Sequence, residues 1–160
     1  MDIYTPIDSP LGEILLVGDG TTLARVTFGA AAAGWRLDRS AYAEARRQLA
    51  EYFAGERTTF DLDLVSRGSE FQERVWAAVA ALPYGTTTTY GELTARIGAP
   101  RDRIRAVGAA IGANPLLIVR PCHRVIGADG SLTGYAGGLE RKHELLTLEG
   151  ALQPRLWSVS

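Results

Sequence analysis

At Ser66-Arg67-Gly68 the hydrophobic pattern of the chain changes period, and no single layer of secondary structure accommodates both halves of that pattern. Before this point apolar residues come in short runs: Ile3-Tyr4, Glu13-Ile14-Leu15-Leu16-Val17 and Leu23-Ala24-Arg25-Val26-Thr27-Phe28, punctuated by Gly12 and Asp19-Gly20. Asp-Gly between apolar runs is a strong hairpin signal, so residues 1–30 predict a small antiparallel sheet. After it the apolar residues recur at helical spacing. Strands followed by helices read as α+β, with a supporting unit over 1–66 and a second unit over 67–160. The 160 residues, 46% of them hydrophobic, suffice for the core of one domain or two small ones.

Within 1–66, Ala30-Ala31-Ala32-Ala33-Gly34 reads as a loop. Ser40 suits the N-cap of a helix whose apolar face carries Tyr42, Ala45, Leu49, Tyr52 and Phe53, and Gly55 suits its stop. Phe60-Asp61-Leu62-Asp63-Leu64 alternates as a half-buried edge strand would. No catalytic constellation occurs there, so its expected role is structural.

Beyond residue 68 the helix signals are local and strong. Ser69-Glu70-Phe71-Gln72 has capping-box spacing and opens a helix with Phe71, Val75, Trp76, Val79 and Leu82 on one face, ended by Pro83. Thr89-Tyr90-Gly91-Glu92 repeats the spacing before a short helix through Leu93 and Ile97. Gly98-Ala99-Pro100 breaks it, and a third helix runs from about Arg101 to Ala113. Two helices across a tight turn outline a helix-turn-helix. The third helix is poor in bulk, and its Gly108 and Gly112 each cost about 1 kcal/mol relative to Ala. Close approach to a neighbouring helix or to a groove of DNA would compensate. Asn114-Pro115 stops this helix. Leu116 to Val119 reads as a buried strand, and Val125-Ile126 and Leu132 flank Ala128-Asp129-Gly130 as a hairpin wing. Gly134-Tyr135-Ala136-Gly137-Gly138 reads as a loop. A last helix from Leu139 to about Glu149 buries Leu145, Leu146 and Leu148, and Trp157 offers an anchor for the tail.

Charge divides along the same boundary. Residues 1–66 carry ten acidic and six basic side chains, and residues 67–160 carry eight acidic and eleven basic. Arg96, Arg101, Arg103, Arg105, Arg120 and Arg124 face only Asp102 between 96 and 124, a balance that suits phosphate contacts or an ordinary solvated face. One cysteine forms no intramolecular disulfide and does not suit a structural zinc site. With no signal-like N-terminus and no apolar run long enough to span a bilayer, a reduced, cytoplasmic setting is expected.

That cysteine lies in Pro121-Cys122-His123-Arg124-Val125-Ile126, beside one of only two histidines. An imidazole next to a thiol can serve as its base, and Arg120 and Arg124 add positive charge that would favour the thiolate. On the dipeptide alone, a small buried hydrophobe is the alternative.

The run Pro121-Cys122-His123-Arg124-Val125-Ile126-Gly127, preceded by Arg105-Ala106-Val107-Gly108 and Asn114-Pro115 and followed by Leu145-Leu146-x-Leu148-Glu149, resembles the O6-alkylguanine-DNA alkyltransferases. The resemblance covers nearly all of 67–150. It implies a ribonuclease H-like N-terminal sheet with a helix, and a C-terminal winged helix-turn-helix domain carrying the cysteine. It further implies Cys122 as alkyl acceptor, His123 as the base acting through a water, Glu149 as the carboxylate orienting it, and Asn114 as a hinge. Tyr90 would help rotate the lesion nucleotide and hydrogen-bond the guanine. Arg105 would fill the gap in the duplex, Ala106, Gly108 and Ala109 would line the DNA-facing helix, and Val125, Tyr135, Ala136 and Gly137 would surround the flipped base. The implied partner is duplex DNA bearing O6-alkylguanine, with O4-alkylthymine a second candidate, bound from the minor groove by a monomer without cofactor or metal. Arg120 stands where the family usually has an apolar residue, and Ala136 where it often has serine. Tyr90 and Arg105 lie one residue further apart than usual, which makes Arg103 a competitor for the finger. Three other readings stand beside this one: an alkyltransferase-like damage sensor, a winged-helix regulator and a cysteine hydrolase.

Overall fold

A computed structural model describes residues 2–152. Its first half is a four-stranded sheet in the order β3-β2-β1-β4, built from β1 (Ile3–Ile7), β2 (Ile14–Gly18), β3 (Leu23–Phe28) and β4 (Arg36–Leu37). β1, β2 and β3 pair antiparallel, as the hairpin signals predict, and β4 joins β1 in parallel. Sequence pattern missed β4, a two-residue exposed edge with no alternation to read. Every residue of β2 is buried, which accounts for its unbroken apolar run.

Helix α1 (Ala43–Phe53) lays Ala45, Gln48, Leu49 and Tyr52 into the core. Ser40 does not cap it. The Ser40 hydroxyl donates instead to Asp38 Oδ1 (2.6 Å), and Tyr42, in left-handed conformation at φ 57°, occupies the N-cap position without a side-chain bond. Tyr42 is held there by its hydroxyl, which donates to Ile3 O (2.7 Å) and accepts from Gly20 N–H (3.0 Å). Residues 60–64 keep the expected alternation of burial but form no strand. A single bridge joins Leu64 to Leu23, and Gln48 takes over the rest, donating to Asp61 O and accepting from Asp61 N–H, both at 2.9 Å.

In the second half, α2 (Glu70–Ala80) opens on the complete Ser69–Gln72 capping box. α3 (Tyr90–Arg96) follows the two-residue β5 (Thr88–Thr89). The Thr89 oxygen accepts from Glu92 N–H, but the Glu92 carboxylate accepts from the Thr89 hydroxyl rather than returning to its backbone. Gly98, at φ 74°, closes α3 with bonds from its own N–H to Ala95 O and from Ala99 N–H to Thr94 O, a turn that favours residues tolerating positive φ. A 3-10 turn at Arg101–Arg103 leads into α4 (Ile104–Gly112), which packs on α2 through Val107, Ala110 and Ile111. Trp76 Nε1 donates to Ala110 O across that contact (2.8 Å).

The expected strand at 116–119 is absent. Only Leu116 bridges to Val26, because the chain then folds back on itself: Val119 N–H donates to Leu117 O across Ile118, which sits at φ 70°. A β-branched residue there is strained, of the order of 1–3 kcal/mol, and such strain concentrates at functional sites. The expected hairpin after it is also replaced. β6 (Val125–Ile126) pairs in parallel with β5, and residues 127–131 form a tight turn with no returning strand. α5 (Leu139–Leu148) buries Leu145 and Leu146, leaves Leu148 only partly covered, and fully buries Lys142, which no apolar pattern announces. Trp157 lies outside the described residues.

The halves are stitched at several points. Val26 N–H donates to Pro115 O (2.9 Å) and Leu117 N–H to Val26 O (3.1 Å). Arg141 stacks over Phe28 at 4.1 Å while its Nε donates to Leu11 O.

Candidate active site

Cys122 opens a 3-10 turn, Cys122–Arg124, on a loop whose shape Asn114 dictates. Asn114 Oδ1 accepts from Leu116 N–H (3.0 Å), and its Nδ2 donates to Arg120 O (3.2 Å), clamping the strained Ile118 segment from the end of α4. Cys122 N–H then donates to Arg120 O across Pro121 at φ −81° and ψ 60°, an inverse γ-turn that aims the thiol inward. Burial pushes the Cys122 thiol up. Its hydrogen bond with Asn114 and the charge of Lys142 act against that rise.

The expectation that Arg120 and Arg124 acidify the thiol is not met. Arg120 turns away, stacking over Trp76 at 5.1 Å and donating to Ser66 Oγ (2.8 Å). Arg124 is spent on Glu149, donating from Nε to Oε1 (2.7 Å) and from NH2 to Oε2 (2.9 Å), and from NH1 to Leu82 O (2.6 Å). The cation that does bear on the thiol is Lys142. Its Nζ donates to Val125 O (2.7 Å) and Gly134 O (3.1 Å), and burial lowers its pKa to about 8.

Glu149 stands at the end of α5, where the helix dipole disfavours a carboxylate. Gly150, at φ 78°, ends the helix there by bonding Thr147 O, while Ala151 N–H reaches Leu146 O. Burial would push the Glu149 carboxyl up, but donors from His123, Arg124 and Tyr52 outweigh it and hold the pKa at about 2. An ionised carboxylate only accepts, so His123 Nε2, 2.7 Å from Oε2, carries the proton of that bond. The neutral ring then presents its lone pair at Nδ1, a buried atom with no hydrogen-bond partner among the described residues. Burial lowers the pKa of His123 despite Glu149, so the neutral base is the resting form.

A consequence for stability follows from Glu149. Its pKa is depressed from 4.5 to about 2 in the folded state, so its stabilisation is complete above pH 4.5 and is lost as pH falls toward 2. Acid titration followed by circular dichroism should show a loss of order 3 kcal/mol across that window, absent in Glu149→Gln. An equal acid loss in the variant would detach the effect from this carboxylate.

Beside Cys122 lies a cavity of about 440 Å³, within the usual range for ligand pockets of roughly 300–1,000 Å³, bounded by Tyr90, Gly108, Ile111, Gly112, Tyr135 and Ala136. The two helical glycines meet here. A Cβ on Gly108 would only touch the Tyr90 ring at 3.8 Å and one on Gly112 would meet nothing within 4 Å, so packing inside the protein does not require them. Tyr90 OH bonds Thr133 Oγ1 (2.8 Å). Val125 and Gly137 do not line the cavity. Val125 is fully buried, and a Cβ on Gly137 would meet the Tyr135 ring at 2.7 Å and the Phe28 ring at 3.1 Å. Arg105 and Ala109 are exposed on the outer face of α4, with Ala106 partly covered. Arg103 stacks over Phe71 at 4.9 Å, whereas Arg105 has no partner among the described residues. Tyr52 and Lys142 belong to this site and escape sequence reading, since one looks like any core aromatic and the other like any helix-surface charge.

A buried thiol, adjacent in sequence to a histidine held by a carboxylate and opening onto a cavity beside a helix stripped of bulk, defines a class: a cysteine-centred acceptor built on a helix-turn-helix domain. Residues 3–65 match the ribonuclease-like domain of 6-O-methylguanine DNA methyltransferase, and residues 70–151 match the DNA binding domain of the same proteins. The methylated-DNA–protein-cysteine methyltransferase of Mycolicibacterium paratuberculosis is 51% identical over 156 residues, 94% of each chain. That of Methanosarcina acetivorans is 48% identical over 154 residues, 92% of this chain and 98% of its own. Among solved structures, Mycobacterium tuberculosis OGT in complex with DNA superposes with a TM-score of 0.88 at 48% identity, over 96% of each chain. The chain belongs to the 6-O-methylguanine DNA methyltransferase family.

Proposed function

We propose that this chain is a direct-reversal DNA repair protein that extrudes O6-alkylguanine from duplex DNA and moves the alkyl group irreversibly to Cys122. It approaches the minor groove as a monomer, in the cytoplasm. The observation that carries this reading is the cavity in which the Cys122 thiol meets the glycines of α4, whose absent side chains leave room that nothing in the protein fills. An alkyl group on guanine O6 lies within the base stack, so the nucleotide must leave the duplex to reach a buried thiol.

His123 Nδ1 takes the thiol proton through a bridging water, as Glu149 holds the opposite nitrogen and stabilises the imidazolium that forms. The sulfur attacks the alkyl carbon as the bond to O6 breaks. The electron pair leaves with the guanine, and the proton that His123 took from the thiol is returned through water to the base, while Tyr90 exchanges Thr133 for the base as hydrogen-bond partner. The thioether is not a leaving group, so each chain acts once. Intact-mass analysis after incubation with duplex containing one O6-methylguanine should show a gain of one CH2 per chain, mapped to Cys122. Tight lesion binding without mass gain would instead mark a damage sensor.

Arg105 enters the duplex in place of the extruded nucleotide, a role supported by its freedom and by the stacking of Arg103 on Phe71. Arg105→Ala should therefore slow repair of duplex substrate about tenfold or more, while reaction with free O6-benzylguanine changes less than about twofold. Equal losses on both substrates would remove Arg105 from this role.

A further inference from the structure

We infer that Tyr52, contributed by α1 of the N-terminal half, is a positioning residue that tempers the basicity of His123 through Glu149. This inference rests on the repair reading above. Tyr52 OH lies 2.6 Å from Glu149 Oε2, the same oxygen that accepts from His123 Nε2 at 2.7 Å and from Arg124 NH2 at 2.9 Å. Oε1 takes Arg124 Nε at 2.7 Å. The histidine thus shares its acceptor oxygen with two competing donors, and density drawn toward Tyr52 is withheld from the imidazole.

The tyrosine is built for this one bond. It is fully buried, and its ring is wedged edge-on against Phe53 and Tyr84 and tilted against Phe60, at centroid distances of 5.3, 6.2 and 5.4 Å. The hydroxyl therefore cannot swing to another partner. Burial and the Glu149 charge raise its pKa, so it stays a donor at every working pH. The other charged or titratable groups facing the pair are Cys122 and Arg124 from the turn, Tyr84 beneath Arg124, Lys142 from α5, and Tyr135, whose ring meets His123 edge-on at 6.4 Å. None of Cys122, Tyr84, Lys142 or Tyr135 has a hydrogen bond to a Glu149 carboxylate oxygen, which leaves Tyr52 as the neutral side chain that tunes it.

Removing the hydroxyl concentrates the carboxylate charge on His123 and makes the imidazole easier to protonate, so the base is lost at a higher pH. The chain has only two histidines, so ¹⁵N-imidazole titration follows His123 directly, with His143 as internal reference. In Tyr52→Phe the His123 midpoint should rise by about 0.5–1 pH unit. In a protein carrying 3-fluorotyrosine at position 52, whose hydroxyl is a stronger donor in an unchanged shape, it should fall. The acid limb of the methyl-transfer rate should move with the midpoint in each. A role in packing alone would give no opposite shifts. An identical His123 midpoint in wild type, Tyr52→Phe and the fluorotyrosine protein would overturn the inference, even if the variants melt differently. A wild-type protein that accepts no methyl group would overturn the repair reading instead, while the imidazole titration would still decide the role of Tyr52.

Discussion

Cys122→Ala should abolish alkyl transfer, to below about a thousandth of the wild-type rate, while leaving affinity for lesion-bearing duplex within a few-fold. The asymmetry arises from the geometry. The thiol lies at one wall of the cavity, whereas Arg105 and Ala109, which we propose face the DNA, are exposed on α4 and do not line it. The exchange removes the thiol and its bond with Asn114, but the Asn114 bonds that clamp the turn go to the backbone of Leu116 and Arg120 and stay in place. Intact-mass and gel-shift measurements on the same preparation separate the two effects. Residual stoichiometric methylation of the variant would show that another atom is the acceptor, and a parallel collapse of DNA affinity would mean that the cysteine shapes the binding face.

Arg124→Met should be the most damaging single change to stability, at about 3–5 kcal/mol, because it strands the buried Glu149 carboxylate without its main counter-charge. Arg124 and Glu149 are 6% and 0% exposed as side chains, so water cannot replace the lost partner. The ion pairs of Arg47 with Glu44 and Glu51 on α1 make the contrast: the Arg47 side chain is 53% exposed, and breaking them should leave stability nearly unchanged. Arg124 also bonds Leu82 O beyond the end of α2, so its loss loosens that junction too. Urea denaturation measures both effects. Adding Glu149→Gln to Arg124→Met should recover part of the loss, since the double variant no longer buries a net charge. A loss below about 1 kcal/mol in Arg124→Met would mean that water reaches the carboxylate after all.

Much of this architecture is legible from neighbours in sequence, because helix ends, hairpin turns and capping boxes depend on groups within a few residues of one another. The Ser69–Gln72 box, the stop at Gly98 and the β1-β2-β3 meander form as their residues dictate. The bond between His123 and the distant Glu149 also forms, between residues that the family resemblance singles out. The apolar pattern misleads at 60–64, read from alternation, and at 116–119, read from an unbroken apolar run, because it reports burial but not whether a partner strand lies alongside. The fates of the charged side chains are set at longer range still. Arg120 leaves the thiol for Trp76, Arg124 is drawn to Glu149, and Lys142 is buried against the carbonyls of Val125 and Gly134. Tyr52 reaches Glu149 across 97 residues. Desolvation makes a buried charge keep whichever partners the packed chain brings to it, so local sequence dictates where the helices and the nucleophile lie, and only the folded chain settles which groups govern that nucleophile's proton.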